Sequence, residues 1–284
     1  MDENYHNRIQ RVHAAIHTNP AADHSLDDLA DTAALSRFHF HRVFTAMSGE
    51  TVAEAVRRIR LKRAAMALRR GNASVAEVGR AHGYPNPGSF SRAFRAAFGQ
   101  TPSQFRRDPV DLALPLYLAF KPGDPKMYPV TISEQPSRSV HGLRHQGPYP
   151  QIGQAFERVS AVIGKAGLWP QVRGMVAIYL DDPAIVPPAK LRGMAAVTFA
   201  DGVTAPEGLL SQELAAGRYA VMRVTGPYSG LSKAYTWLFG TWLVQSGETP
   251  RDEPHYELYV NSPTQAAPED LITDIYLPLS AAGM

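Results

Sequence analysis

The sequence predicts two domains of different class. The first is all-α, with two helix-turn-helix units joined by a long helix. The second is α+β, a duplicated strand-helix-strand-strand unit around a central cleft. Three observations carry this prediction. Over residues 5–107 apolar residues recur at three- and four-residue spacing, the period of a buried helix face. From about Met127 the pattern changes to short alternating runs, VTISEQ, MVAIYL, YAVMRV and YELYV, around two helical stretches at roughly 150–166 and 229–246. Each half of the chain also repeats itself.

Residues 108–129, DPVDLALPLYLAFKPGDPKMYP, hold five prolines and a Gly-Asp pair, the composition of a linker or an irregular crossing segment. The expected division is therefore a helical domain over 1–108, a linker over 109–126 and a mixed domain over 127–284. The LALPLYLAF portion is too apolar for a free linker and is expected to pack on a domain.

The totals narrow the class further. The chain has 284 residues, 44% of them hydrophobic, enough for a core in each domain. It contains no cysteine, which excludes disulfide staples, thiolate metal sites and cysteine nucleophiles. Apolar runs stop well short of the ~18 residues that span a bilayer. The polar start MDENYHNRIQ lacks the basic-then-apolar order of a secretory signal, so a soluble, cytoplasmic protein is expected. The net charge of +3 is unevenly placed: residues 1–109 hold 16 Lys and Arg against 10 Asp and Glu, and the remainder is net negative. Fifteen of those 16 are arginines, whose forked guanidinium suits phosphate and guanine. A polyanionic partner for the first third is the expectation.

In the first half, FHFHRVFTAMSGET (38–51) aligns with GSFSRAFRAAFGQT (88–101) at an offset of 50. Phe40, Arg42, Phe44, Gly49 and Thr51 match Phe90, Arg92, Phe94, Gly99 and Thr101. Helices starting near Leu26 and Val75 match at an offset of 49, so the second turn carries one added residue around Pro85–Gly88. Ser25 and Ser36 are expected N-caps. The helix after Ser36 keeps Phe40 and Phe44 inside and is expected to present Arg37, Phe38, His41 and Arg42 outward, while the second copy offers Ser89 and Arg92. Such a helix fits the DNA major groove, where Arg reads guanine. The amphipathic stretch 52–70, if one rigid helix, fixes the separation of the two readers. At about 34 Å apart, they would enter successive major grooves on one face of the duplex. His6, His13, His17 and His24 show no convincing ligand spacing and read as surface residues; no metal and no cofactor is expected.

These residues resemble the AraC/XylS family of regulators over about residues 9–107, most diagnostically in VAEVGRAHGY (75–84) and SFSRAFRAAFGQTP (89–102). The resemblance implies a monomeric module with two recognition helices and an asymmetric DNA site. It carries DNA contacts onto Phe38, His41 and Arg42 in the first copy, and onto Gly88, Ser89 and Arg92 in the second. Three residues depart from the family pattern. Gly79 stands where Ala is usual and loosens its helix by up to ~1 kcal/mol. Pro85 and Pro87 delay the second recognition helix to near Gly88. Gly88 itself has no side chain with which to read a base.

In the second half, GPYPQIGQAFERVSAVI (147–163) aligns with GPYSGLSKAYTWLFGTW (226–242) at an offset of 79, and AIYLDDP (177–183) with ELYVNSP (257–263) at 80. The pairs Ile152/Leu231, Ala155/Ala234, Phe156/Tyr235, Val159/Leu238 and Ile163/Trp242 read as one buried helix face. Alternation along HYELYV puts His255, Glu257 and Tyr259 on one strand face, with Tyr256 and Leu258 on the other. The repeat pairs Glu257 with Ala177 and Tyr259 with Tyr179, so the two sides share aromatics but differ in charge. One carboxylate among aromatic rings suits an organic cation.

This half resembles the GyrI-like (gyrase-inhibitor-like) effector-binding domain over about residues 127–280, through VTISEQP (130–136), VHGLRHQGPY (140–149), AIYLDDP, HYELYVN (255–261) and DIYLPL (274–279). The resemblance places a cation-recognising glutamate on Glu257. Tyr149, Trp169, Tyr179, Tyr228, Trp237 and Tyr259 are the candidate cage. Together the halves point to a ligand-responsive, sequence-specific DNA-binding regulator with double-stranded DNA, a small-molecule effector and RNA polymerase as candidate partners. The alternative is hydrolysis in the same cleft, with Glu257 and Tyr259 or Tyr228 as an acid–base pair. A third reading is sequestration of a protein partner such as gyrase. No catalytic triad, phosphate loop or metal cluster stands out.

Overall fold

The structure, a computed structural model, describes residues 4–109, 124 and 126–281. The chain divides into two compact units, Met1–Lys121 and Pro122–Met284. The apolar stretch 112–120 and most of the expected linker lie outside the described residues.

The described part of the first unit is helical throughout. Its elements are α1 (Tyr5–Thr18), α2 (Leu26–Ala33), α3 (Arg37–Ser48), α4 (Val52–Arg70), α5 (Val75–Ala81), α6 (Pro87–Phe98) and α7 (Pro102–Arg107). The repeated Gly-x-Thr is punctuation between helices. Gly49 and Gly99 end α3 and α6 in the left-handed region, at φ 69° and 77°, where glycine has no Cβ penalty. Two residues on, Thr51 and Thr101 open α4 and α7 with capping boxes to Glu54 and Gln104. Ser74 opens α5 with a capping box to Glu77, and Ser25 caps α2 by accepting from the Asp28 amide alone. Ser36 holds the N-cap position of α3 but makes no side-chain cap bond.

Phe40, Phe44, Phe90 and Phe94 are fully buried, which is why the Phe-x-x-x-Phe spacing recurs. Gly79 has a use beyond helix propensity, because a Cβ there would sit 3.0 Å from the Phe90 ring. The surface reading of His13 is corrected. It is 5% exposed and packs against Phe44 at 5.2 Å between ring centroids. Its place on α1 beside the buried Ile9, Val12 and Ile16 sets this, and burial lowers its pKa to about 4. His17 is half-buried too, and its pKa is lowered first by that burial.

The second unit is one curled antiparallel sheet with helices on one face. Its strands are β1 (Val130–Gln135), β2 (Arg138–Gln146), β3 (Val172–Tyr179), β4 (Arg192–Phe199), β5 (Leu210–Leu214), β6 (Gly217–Thr225), β7 (Tyr256–Tyr259) and β8 (Ile272–Pro278). Their order in the sheet is β1-β6-β8-β7-β3-β4-β2-β5. Exchanging the strands of the two repeats reverses this order onto itself, so a pseudo-two-fold axis passes between β3 and β7. The repeat therefore has one strand more than the sequence pattern suggested, and each copy's first strand pairs in the other copy: β1 with β6, and β5 with β2. The strand β5 is one edge and β6 lies next to the other, yet only two residues separate them, a reach of roughly 10 Å. The sheet must curl to allow this, and Leu214 and Tyr219 consequently share one core cluster with Val140, Ile178, Tyr256 and Tyr276. The opposite face carries α8 (Gly153–Lys165), whose Ala155 packs with Ile152 on Ala177, Tyr179 and Ala195.

The second copy of this helix is irregular. It runs as α9 (Leu231–Trp237), a π-turn (Leu238–Trp242) and α10 (Leu243–Ser246). Two pairs of positive-φ glycines date the change in repeat offset. Gly147 and Gly226, before the helices, are 79 apart; Gly167 and Gly247, after them, are 80 apart. The extra residue thus lies within the helix, and the π-turn absorbs it. This corrects one sequence pairing: the counterpart of Ile163 is Leu243, both fully buried, and not Trp242.

Candidate functional site

The helices α3 and α6 follow the turns of the two helix-turn-helix units. Arg37 and Arg92 are exposed, and Phe38, Arg42 and Ser89 are partly so. At the start of α6, Asn86 Oδ1 accepts from the amides of Gly88 and Ser89, and Ser89 Oγ donates to the Asn86 carbonyl at 2.7 Å. That hydroxyl is engaged in its own helix start. A Cβ on Gly88 would lie 3.7 Å from Arg92 Nη1, so the guanidinium lies close over the glycine. His41 departs from expectation, being 3% exposed with Nδ1 3.4 Å from Thr45 Oγ1. At 100° per residue it falls only about 60° from Phe44 around the axis, on the buried side.

Arg60 of α4 ties the two copies together. Its Nε donates to the Pro20 carbonyl at 2.6 Å and its Nη2 to the Ala22 carbonyl at 2.8 Å. The same guanidinium lies 2.7 Å from where a Cβ on Gly83 would stand, in the second helix-turn-helix turn at φ +81°. One side chain therefore touches the α1–α2 loop of the first copy and the turn of the second.

In the second unit the repeat and the sheet register converge on one carboxylate. Glu257 pairs with Ala177 across β3 and β7, so the two counterparts in sequence are also neighbours in the sheet. Glu257 is 1% exposed. Tyr179 and Tyr259, likewise repeat counterparts, both donate to its Oε2, at 3.0 and 2.8 Å, and lie 3.2 Å from each other. Tyr235 of α9 donates to Oε1 at 2.9 Å. Burial first, and then the negative charge of Glu257, holds the Tyr179 and Tyr259 hydroxyls well above the usual phenol range. Both are therefore protonated donors at neutral pH, directed at the Glu257 side chain.

The walls repeat the symmetry. Tyr149 meets Tyr179 edge-on at 4.6 Å, and its counterpart Tyr228 meets Tyr259 edge-on at 5.3 Å. The Tyr149 hydroxyl lies 2.9 Å from both the Asp181 and the Arg192 carbonyl oxygens and accepts from the Asp181 amide, which fixes its ring. Tyr228 is 37% exposed and marks the open side. Phe156 of α8 packs on Tyr259, and His255 lies over Tyr179. The arrangement is a buried acidic side chain lined by aromatic faces.

Of the candidate cage, the structure gathers Tyr149, Tyr179, Tyr228 and Tyr259 around Glu257 and leaves out both tryptophans. Trp169 is 45% exposed, with its Nε1 3.5 Å from where a Cβ on Gly164 would stand. It precedes β3 by three residues, and Ala177 lies five residues into that strand, roughly 16 Å further on. Trp237 is buried, but against Tyr128 at 5.2 Å and the Asp124 carbonyl, away from the acid. Tyr235 is the member that sequence reasoning missed, because its position reads as buried helix face. The signal was its counterpart: Phe156 has no hydroxyl, and Ala177 has no carboxylate for one to reach. No group of three or more His, Asp or Glu among the described residues is placed to hold a metal ion. No described helix is long and apolar enough to cross a membrane.

A GyrI-like small molecule binding domain matches residues 128–280, and a helix-turn-helix domain matches residues 29–108. A putative AraC-like transcription regulator of Streptomyces lividans is 37% identical over 94 residues, covering 33% of this chain and 31% of that protein. A DNA gyrase inhibitor of Serratia proteamaculans is 32% identical over 142 residues, covering 46% of this chain and 86% of that protein. The Msm operon regulatory protein of Streptococcus mutans is 28% identical over 104 residues, covering 37% and 36%. The chain thus spans about a third of the two regulators that it matches and most of the gyrase inhibitor. The chain belongs to the GyrI-like family, with its small molecule binding domain preceded by a helix-turn-helix domain of the AraC type.

Proposed function

We propose that the protein is a ligand-responsive, sequence-specific DNA-binding transcription regulator whose effector is an organic cation held over Glu257. The observation that carries this reading is the buried Glu257 carboxylate, solvated by three phenols and walled by Tyr149 and Tyr228, on a chain that also holds two copies of a helix-turn-helix. A carboxylate in a poorly solvated place attracts a desolvated cation strongly, and aromatic faces add to that attraction. Because the phenols already occupy hydrogen-bonding positions on both carboxylate oxygens, a cation with few N–H donors suits the site best. On the DNA side, Arg37, Phe38 and Arg42 of α3 and Gly88, Ser89 and Arg92 of α6 are the proposed contacting positions, with Arg42 and Arg92 leading. His41 is not among them. Such a regulator acts from the cytoplasm, and RNA polymerase is its proposed downstream partner.

The test is selection from a random-sequence DNA pool by the wild type and by Arg42→Ala plus Arg92→Ala. The proposal expects a bipartite motif spanning about two helical turns, lost or relaxed in the double variant. Retention that is sequence-independent and falls steeply with salt would overturn it.

A second reading has one specific contact in its favour: Tyr259 and Glu257 lie within proton-transfer distance, as an acid–base pair requires. Turnover of a strained electrophile, abolished by Glu257→Gln, would establish hydrolysis. Tight binding without turnover would exclude it for the compound tested.

A further inference from the structure

What breaks the symmetry of the second unit is concentrated in the second repeat. Glu257 stands for Ala177, Tyr235 for Phe156 and Trp237 for Arg158, and a π-turn stands for regular helix. Tyr235 and Trp237 are two residues apart on α9, so their side chains leave it about 200° apart. The first ends on Glu257 at 2.9 Å. The second donates from Nε1 to the Asp124 carbonyl at 2.6 Å and meets Tyr128 edge-on. The amide of Met127 donates to that same Asp124 carbonyl at 3.3 Å, so the indole closes a small turn at the start of the unit. In sequence, this turn follows directly on the residues that join the two units. In the first repeat the counterpart, Arg158, instead reaches the Arg144 carbonyl at 3.5 Å, within its own repeat.

The π-turn begins at Leu238, the residue after Trp237. Its Phe239 stacks with Tyr235 at 6.4 Å and 12°. Turns of this kind interrupt the regular hydrogen-bond ladder and are common where helices serve a function. Here the interruption lies just past the two side chains that leave α9 in opposite directions.

We propose that Trp237 is a positioning residue that latches the start of the effector unit to the acid site. A ligand that displaces the Tyr235 phenol from Glu257 turns α9 at the π-turn and re-seats Asp124 and Tyr128, so occupancy is delivered to the chain that leads from the helix-turn-helix unit. The ligand part of this proposal rests on the function proposed above. The mechanical link between Tyr235 and the Asp124 turn is a property of the free protein and is tested without ligand.

Hydrogen exchange of the full chain reads the link at the amide of Met127. Tyr235→Phe and Tyr179→Phe each remove one phenol donor from the same carboxylate, but only Tyr235 lies on α9. Tyr235→Phe and Trp237→Phe are expected to raise exchange at Met127 at least threefold. Tyr179→Phe is expected to leave it within twofold of wild type, and the β3–β4 ladder amides are expected to stay protected in all three. Equal effects of Tyr235→Phe and Tyr179→Phe at Met127, or none from either, would overturn the latch. Adding tetraphenylphosphonium separates the two claims. Bound ligand that alters Met127 exchange in wild type but not in Trp237→Phe supports both, and bound ligand that leaves Met127 unchanged in wild type overturns the latch. Absence of binding would overturn the effector reading alone, while the ligand-free comparison still decides the latch.

Discussion

Ala177 and Glu257 face each other across β3 and β7 and are also each other's counterparts in the internal repeat. A residue pair can satisfy both conditions only at the pseudo-two-fold axis. The duplication therefore brings two copies of one position side by side, and the chain carries an acidic side chain at only one of them. Two carboxylates there would repel at close range in a poorly solvated place. One carboxylate can be shared by Tyr179 and Tyr259, the symmetry-related phenols on either side.

Glu257→Gln keeps the shape and removes the charge. Affinity for tetraphenylphosphonium, followed by calorimetry, is expected to fall at least tenfold, or about 1.4 kcal/mol. Affinity for a neutral aromatic of similar size is expected to change far less. Equal losses for both would mean that shape, not charge, selects the ligand.

The reciprocal change, Ala177→Glu, puts a second buried carboxylate beside the first. Unfolding of the second unit in urea is expected to show a loss of roughly 3 kcal/mol, the scale of an uncompensated buried charge. A variant as stable as the wild type would show that the axis position is better solvated than its burial indicates.

The repeats made much of this site legible before any fold was known. They gave the two helix-turn-helix copies, the helix offset, and the pairing of Glu257 with Ala177 and of Tyr259 with Tyr179. Strand alternation put His255, Glu257 and Tyr259 on one face, as the structure has them. What sequence could not supply was partner choice in three dimensions. The swap of β1 and β5 leaves no local pattern, because a strand looks the same whichever copy it joins. Trp169 and Trp237 fit a cage by residue type, but their position along β3 and around α9 decides where they point. His13 and His41 read as polar surface because histidine is polar, although each lies on the buried side of an amphipathic helix.

His13 makes the first unit sensitive to acid. Its pKa in the fold is about 4 against 6.5 in the open chain, with burial the main cause. Between these values the unfolded chain binds the extra proton, so stability is full above about pH 6.5 and is lost as pH falls toward 4. The midpoint of thermal unfolding of the first unit is expected to drop across that window, by up to about 3 kcal/mol in stability. His13→Phe, which keeps a ring against Phe44, is expected to flatten the profile. An unchanged slope in that variant would assign the acid lability elsewhere.

Arg60→Ala removes two charge-assisted hydrogen bonds to the α1–α2 loop and the packing against Gly83. A loss of roughly 2 kcal/mol in the stability of the first unit is expected. The functional consequence is read from operators whose half-sites are moved apart by one or two base pairs. Wild type is expected to discriminate sharply among them, and Arg60→Ala less so, because its two copies are less firmly joined. Equal discrimination by both would leave Arg60 a stabilising residue without influence on spacing.

The most direct test of the central claim is the affinity of the full chain for its selected operator, with and without saturating tetraphenylphosphonium, in wild type and Glu257→Gln. The account predicts a change of at least fivefold in wild type, within the usual range for coupled sites, and none in the variant. Unaltered operator affinity in wild type, with the cation shown to be bound, would contradict the claim that the acid site governs DNA binding.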